Sequence, residues 1–168
     1  MDLVQQLKKD GTDKGLCRLW RSKLIGDLSV EELAKLYIKG IDFCISEDYP
    51  TLDFFREHFK GKCEPFGIFV DDEVTERNMA DVVLSGDCKA LMEYDGYTVA
   101  RVYARHNAQG AINVCDHAIV TIDVFDNSNL VIAVAGSDAQ VNVNLYGNSH
   151  VETFGTGIGI RKTNKITY

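Results

Sequence analysis

Apolar and polar positions in the second half of the chain follow a nested rhythm. A turn pair ending in a small residue appears at Asn107-Ala108. It returns at His117-Ala118, Asn127-Ser128, Asp138-Ala139 and Asn148-Ser149, about every ten residues. Behind each pair, small or aliphatic side chains stand two apart: Gly110, Ile112, Val114; Val120, Ile122, Val124; Leu130, Ile132, Val134; Val141, Val143, Leu145; and Val151, Thr153. Alternation with period two inside a fixed repeat predicts short stacked β-strands with one face buried.

Parity discriminates between two ways of joining such strands. In a meander with two-residue hairpins, the residues flanking the turn share a face, so inward and outward sets exchange at each turn. Thr121, Asp123 and Phe125 would then lie beside Leu130, Ile132 and Val134, mixing classes that the sequence keeps separate. Three-residue loops would restore the parity. The comparison of alternate copies favours a parallel solenoid. Asn107, Asn127 and Asn148 match at steps of 20 and 21, and so do Phe125 and Tyr146 at 21. Two repeats then make one rung of about 20 residues, with asparagines stacked at one corner and the two aromatics stacked on the outside.

Upstream the rhythm loosens. Cys88, Ala90, Met92 and Tyr94 alternate, Asp95-Gly96 signals a turn, and Arg101 interrupts the next strand, suggesting a bulge at an atypical end repeat. Residues 1–60 carry helical spacing instead. Leu16, Leu19, Trp20 and Leu24 predict a helix over Lys14 to Leu24. Ser29-Val30-Glu31-Glu32 is a capping box that opens a helix running through Leu33, Leu36, Tyr37, Ile41 and Cys44. Pro50 is placed in the first turn of a short helix with Leu52, Phe54, Phe55 and Phe59. The expected class is therefore α+β: a helical unit over 1–60, a connecting region over 61–80, a parallel β-solenoid over 81–160, and a basic tail over 161–168.

Charge narrows the partners. Residues 1–60 are nearly balanced, whereas no lysine or arginine occurs from 106 to 160, where Asp116, Asp123, Asp126, Asp138 and Glu152 remain. Such a surface repels phosphate, so direct nucleic-acid binding through the array is not expected. No apolar run reaches the roughly 18 residues of a membrane span, and Met1 to Lys9 lacks the apolar core of a secretory signal. The five cysteines, Cys17, Cys44, Cys63, Cys88 and Cys115, form no paired motif, which suits a reduced, cytoplasmic setting.

Phe125-Asp126-Asn127-Ser128 and Tyr146-Gly147-Asn148-Ser149-His150-Val151 resemble the short aromatic-Asp/Gly-Asn-Ser/Ala-x-Val repeats of β-solenoid proteins from uncharacterised bacterial and phage open reading frames. The resemblance spans about residues 97–154 and implies a fold without an activity. In architecture alone, the array is also similar to bactofilins, β-helical cytoskeletal proteins that polymerise end to end.

The candidate chemistry has plain structural explanations. His106, His117 and His150 suggest zinc ligands, but they fall beside turns at two different corners of a 20-residue rung. Ser149, His150 and Asp126 suggest a nucleophile, base and orienter, yet the repeat already requires a small residue at 149. Asp71 to Glu76 reads as a solvated acidic turn, lacking the glycine spacing of a calcium loop. Gly155-Thr156-Gly157-Ile158-Gly159 lacks phosphate-loop spacing and reads as a flexible exit. Cys115 is the thiol to watch, although no basic neighbour activates it.

No catalytic residue, cofactor or metal site is assigned. The expected function is a non-enzymatic structural or protein-interaction scaffold that associates with itself through the solenoid, at its uncapped C-terminal end or along the array face. Its surface is expected around Phe125, Val131, Asn142, Asn144 and Tyr146, with Asp123 and Asp126. The alternative is an acidic decoy or inhibitor, of phage or mobile-element type, that occupies the basic groove of a nucleic-acid enzyme.

Overall fold

A computed structural model describes residues 1–168. The chain forms two compact units, Met1–Phe66 and Gly67–Thr167.

The first unit is helical: α1 Leu3–Asp13, α2 Arg18–Arg21, α3 Val30–Lys39, α4 Ile41–Ser46 and α5 Leu52–His58, with a 3-10 turn at Glu64–Phe66. Ser29 and Glu32 form the expected capping box on α3. A second box, from Asp2 and Gln5, starts α1. The helix expected over 14–24 shrinks to the four residues of α2, because Gly15 takes a left-handed conformation and Cys17 is extended. Likewise the long apolar stripe from Leu33 to Cys44 breaks at Gly40 into α3 and α4. Pro50 lies outside α5, whose N-cap is Thr51, with its hydroxyl accepting from the Phe54 amide. Tyr49 donates its buried hydroxyl to the Leu7 carbonyl at 2.6 Å, tying α1 to the turn between α4 and α5.

The second unit is a parallel β-solenoid with eleven strands: β1 Ile68–Val70, β2 Glu73–Arg77, β3 Asp81–Ser85, β4 Lys89–Tyr94, β5 Val99–Ala104, β6 Gln109–Val114, β7 Ile119–Val124, β8 Asn129–Val134, β9 Gln140–Leu145, β10 His150–Phe154 and β11 Ile158–Lys162. Odd strands stack into a six-stranded sheet and even strands into a five-stranded one, all paired in parallel. Each rung thus has two faces. Val99 pairs with Ile119 and Gln109 with Asn129, steps of 20 residues, while Ile119 pairs with Gln140 and Asn129 with His150, steps of 21.

The strands' inward rows meet in one apolar core. Val102, Ile122 and Val143 on one side and Met92, Ile112 and Ile132 on the other are almost completely buried. In-register stacking follows from the alternation, because only a step of one whole rung sets every aliphatic side chain above another.

The ends differ from the sequence reading. The stretch 61–80 reads in sequence as a connection, yet it carries β1 and β2, the first rung. Val74 supplies the inward side chain of β2, and the acidic residues around it form the turn and the outward positions. The first rung is shorter, as Ile68 pairs with Val83 and Glu73 with Lys89. At the other end, the expected flexible exit and basic tail contain β11. Gly155 and Gly157 take the left-handed conformations that the sharp return requires, and Ile158 and Ile160 then pair with Val141 and Val143. Arg101 creates no bulge and simply points outward from β5, paired with Thr121.

Candidate interaction surface

The residues expected to form one outer row are divided by the fold. Asp123, Asn142 and Asn144 point outward from the six-stranded sheet, and Phe125 and Tyr146 follow its strands β7 and β9. Val131 points outward from β8, on the opposite sheet. Phe125 and Tyr146 are buried, with rings stacked at 4.7 Å and 13°. Asp123 is also buried and accepts a 2.7 Å hydrogen bond from the Asn144 amide nitrogen. The row is thus largely internal structure. Exposed Asn142 and the half-buried Val131 remain on two separate faces.

The corners account for most of the polar residues that suggested chemistry. Each corner takes at least one residue with positive φ, supplied by Asp71, Asn78, His106, Asp116, Asp126 or a glycine. These side chains also bond across rungs. The Gly86 amide donates to His106 Nδ1 at 3.0 Å, the His106 amide to the Asp126 carboxylate at 2.9 Å, and the Gly96 amide to the Asp116 carboxylate at 2.9 Å. A short acceptor at this position therefore serves twice, tolerating the left-handed backbone and capping an amide in the preceding rung. Asp126→Ala is expected to lose about 1–2 kcal/mol of stability by urea denaturation, whereas Asp126→Asn, which keeps an acceptor, should lose less than half of that.

The three histidines stay apart. His106 is a corner residue, His117 lies on the ring of Tyr97 at 4.7 Å and 5° at the opposite corner, and His150 begins β10. No group of three or more His, Cys, Asp or Glu side chains gathers as a metal-binding set. Ser149 turns into the corner with its hydroxyl buried, while the neighbouring His150 is exposed and Asp126 is engaged with the His106 amide, so these three do not assemble. The Asp71 carboxylate accepts from the Asp87 amide and that of Asp72 from the Val70 amide, which makes the acidic stretch a pair of turn caps. Partial burial, then the charges of Asp116 and Asp95, hold the Cys115 thiol above its ordinary range, the opposite of activation. Hydrogen bonds from Asn78 and Arg77 lower the Asp95 carboxyl, which ties the turn after β4 to the turn after β2.

Two exposed features remain on the solenoid. One is an open depression of about 430 Å³ on the five-stranded sheet, lined among others by Glu73, Thr75, Lys89, Leu91, Gln109 and Gly110. The other is the last rung. The Val141 amide donates to Gly157 and the Thr163 amide to Leu145. In a parallel ladder alternate residues face a given neighbour, so the peptide groups of Ile158, Ile160 and Lys162 point away from β9. By the same rule, the bond from the His150 amide to Ser128 leaves the peptide groups of Val151 and Thr153 pointing away from β8.

Around this edge, Phe154 is 53% exposed and Ile160 49%. Glu152 and Arg161 project outward from the two last strands. Sequence reasoning points to an uncapped C-terminal end but not to the strand that forms it, because the glycines there suggest mobility. The alternation of Ile158 and Ile160 was the available signal.

The fold and its corners define a two-faced parallel β-solenoid with an exposed terminal rung. Comparison with protein-family models, curated proteins and solved structures gave no match. No helix is long and apolar enough to cross a membrane.

Proposed function

We propose that this chain is a non-enzymatic scaffold that associates with itself through its β-solenoid. The observation that carries the reading is the last rung, where two adjacent strand edges leave peptide donors and acceptors without strand partners beside exposed Phe154 and Ile160. An uncovered edge of this kind is a template for another strand. None of the five cysteines is joined in a disulfide, which supports a reducing, cytoplasmic setting. The decoy reading is the weaker one, because Asp116, Asp123 and Asp126 are spent on bonds within the array.

The test is mass against concentration. Light scattering over a hundredfold range should show growth beyond the 18.7 kDa monomer. Ile160→Pro removes an edge-facing N–H and leaves every β9–β11 hydrogen bond intact, so it is expected to weaken association at least about tenfold. A wild-type chain that stays monomeric throughout would remove the reading.

A further inference from the structure

We infer that the partner at the last rung is a second copy of this chain, joined tail to tail about a two-fold axis, with β11 of each copy pairing antiparallel with β10 of the other. The inference rests on the self-association proposed above and specifies its geometry.

The two ends of the solenoid are not equivalent. At the first rung, β1 turns Ile68 and Val70 away from β3, but these residues are only 1% and 0% exposed. The Val70 amide already donates to the Asp72 carboxylate at 2.9 Å. Only β2 offers an exposed edge there. Head-to-tail growth would therefore join one sheet and leave the other unmatched. The last rung presents both sheets.

A solenoid climbs as it winds, so β11 stands above β10 by a fraction of a rung. Pairing β11 with the partner's β11 would make the two seams unequal by roughly one 4.8 Å strand spacing. Pairing β11 with the partner's β10 makes the seams identical, and the step then fits against itself. A two-fold axis parallel to the strands achieves this, runs the paired strands antiparallel, and keeps outward side chains outward in both copies. The interface is isologous and closed.

The register is set by which peptide groups are free. Ile158, Ile160 and Lys162 must meet Val151 and Thr153 in hydrogen-bonded pairs. One such register sets Lys162 against Val151 of the partner subunit and Ile160 against Thr153 of the partner subunit. Between them Arg161 then lies opposite Glu152 of the partner subunit, both outward, in the closer non-hydrogen-bonded pair. Gly159 lies opposite Phe154 of the partner subunit, whose ring covers a backbone that has no side chain of its own. Each dimer contains two Arg–Glu pairs, one on each seam, so the only cations from 106 to 161 meet an opposite charge.

Charge reversal in the full-length chain tests the pairing, with sedimentation velocity measuring the dimer constant. Arg161→Glu and Glu152→Arg should each weaken the dimer at least about tenfold, because each creates two like-charged pairs. The double variant should return to within about threefold of wild type. Failure of the double variant to recover, indifference to both reversals, or assemblies longer than two chains would overturn this geometry while leaving self-association standing. A wild-type chain that is monomeric at every concentration would overturn both.

Discussion

Gly110→Ala is expected to destabilise the solenoid by about 3 kcal/mol or more, the sum of a backbone conformation barred to side chains and a direct clash. Gly110 has a φ of 158°, and a Cβ built there would lie 2.1 Å from the Ala90 carbonyl oxygen, a backbone atom fixed in the neighbouring strand. Relief would require β4 and β6 to separate, which would break the ladder on both sides of the residue. Gly96→Ala is the matched control. It also stands at positive φ, but nothing lies within 4 Å of its added Cβ, so only the left-handed penalty of about 1–2 kcal/mol applies. Urea unfolding of the two variants beside wild type measures the difference. Equal losses would mean that the close approach of β6 to β4 is wrong.

Ile132→Ala should cost about 3–5 kcal/mol, whereas Val131→Ala, one residue away, should cost less than about 1 kcal/mol. Ile132 is fully buried between Ile112 and Thr153 in its own sheet, within the apolar core. Truncation leaves a cavity that rigid, in-register neighbours cannot close. Val131 points to the other side of β8 and is half exposed. Thermal unfolding by circular dichroism reads both changes, and similar losses would contradict the assigned parity. Because each rung contacts only its neighbours, Ile132→Ala is also expected to broaden the transition as the array loses cooperativity.

The architecture was legible from residues whose spacing is enforced by the core. Val120, Ile122 and Val124 against Val141, Val143 and Leu145 fixed both the 21-residue step and the inward face. The stacked pair of Phe125 and Tyr146 followed from the same step. The ends were less legible, since a terminal rung lacks a neighbour on one side and the repeat weakens there. Thus the residues of β1, β2 and β11 read in sequence as connection, exit or tail. The outer row was misplaced for a different reason: parity separates inward from outward but says nothing about which of two sheets a strand joins. Val131 and Asn142 have the same parity and face opposite ways. The corner bonds were invisible because a histidine or aspartate in a turn has the same letter whether it meets solvent or the amide of the rung before.

The corner between β8 and β9 has a wider consequence. Both 21-residue steps cross it, and the extra residue is taken up around Gly136, where an added side chain would meet open space. The chain is longer here than at its sister corners, yet the strands on either side remain in register. Length and alignment are therefore uncoupled at this corner. A lineage could lengthen this loop, or an engineer graft a peptide into it, and present a new segment at the rim of an unchanged frame.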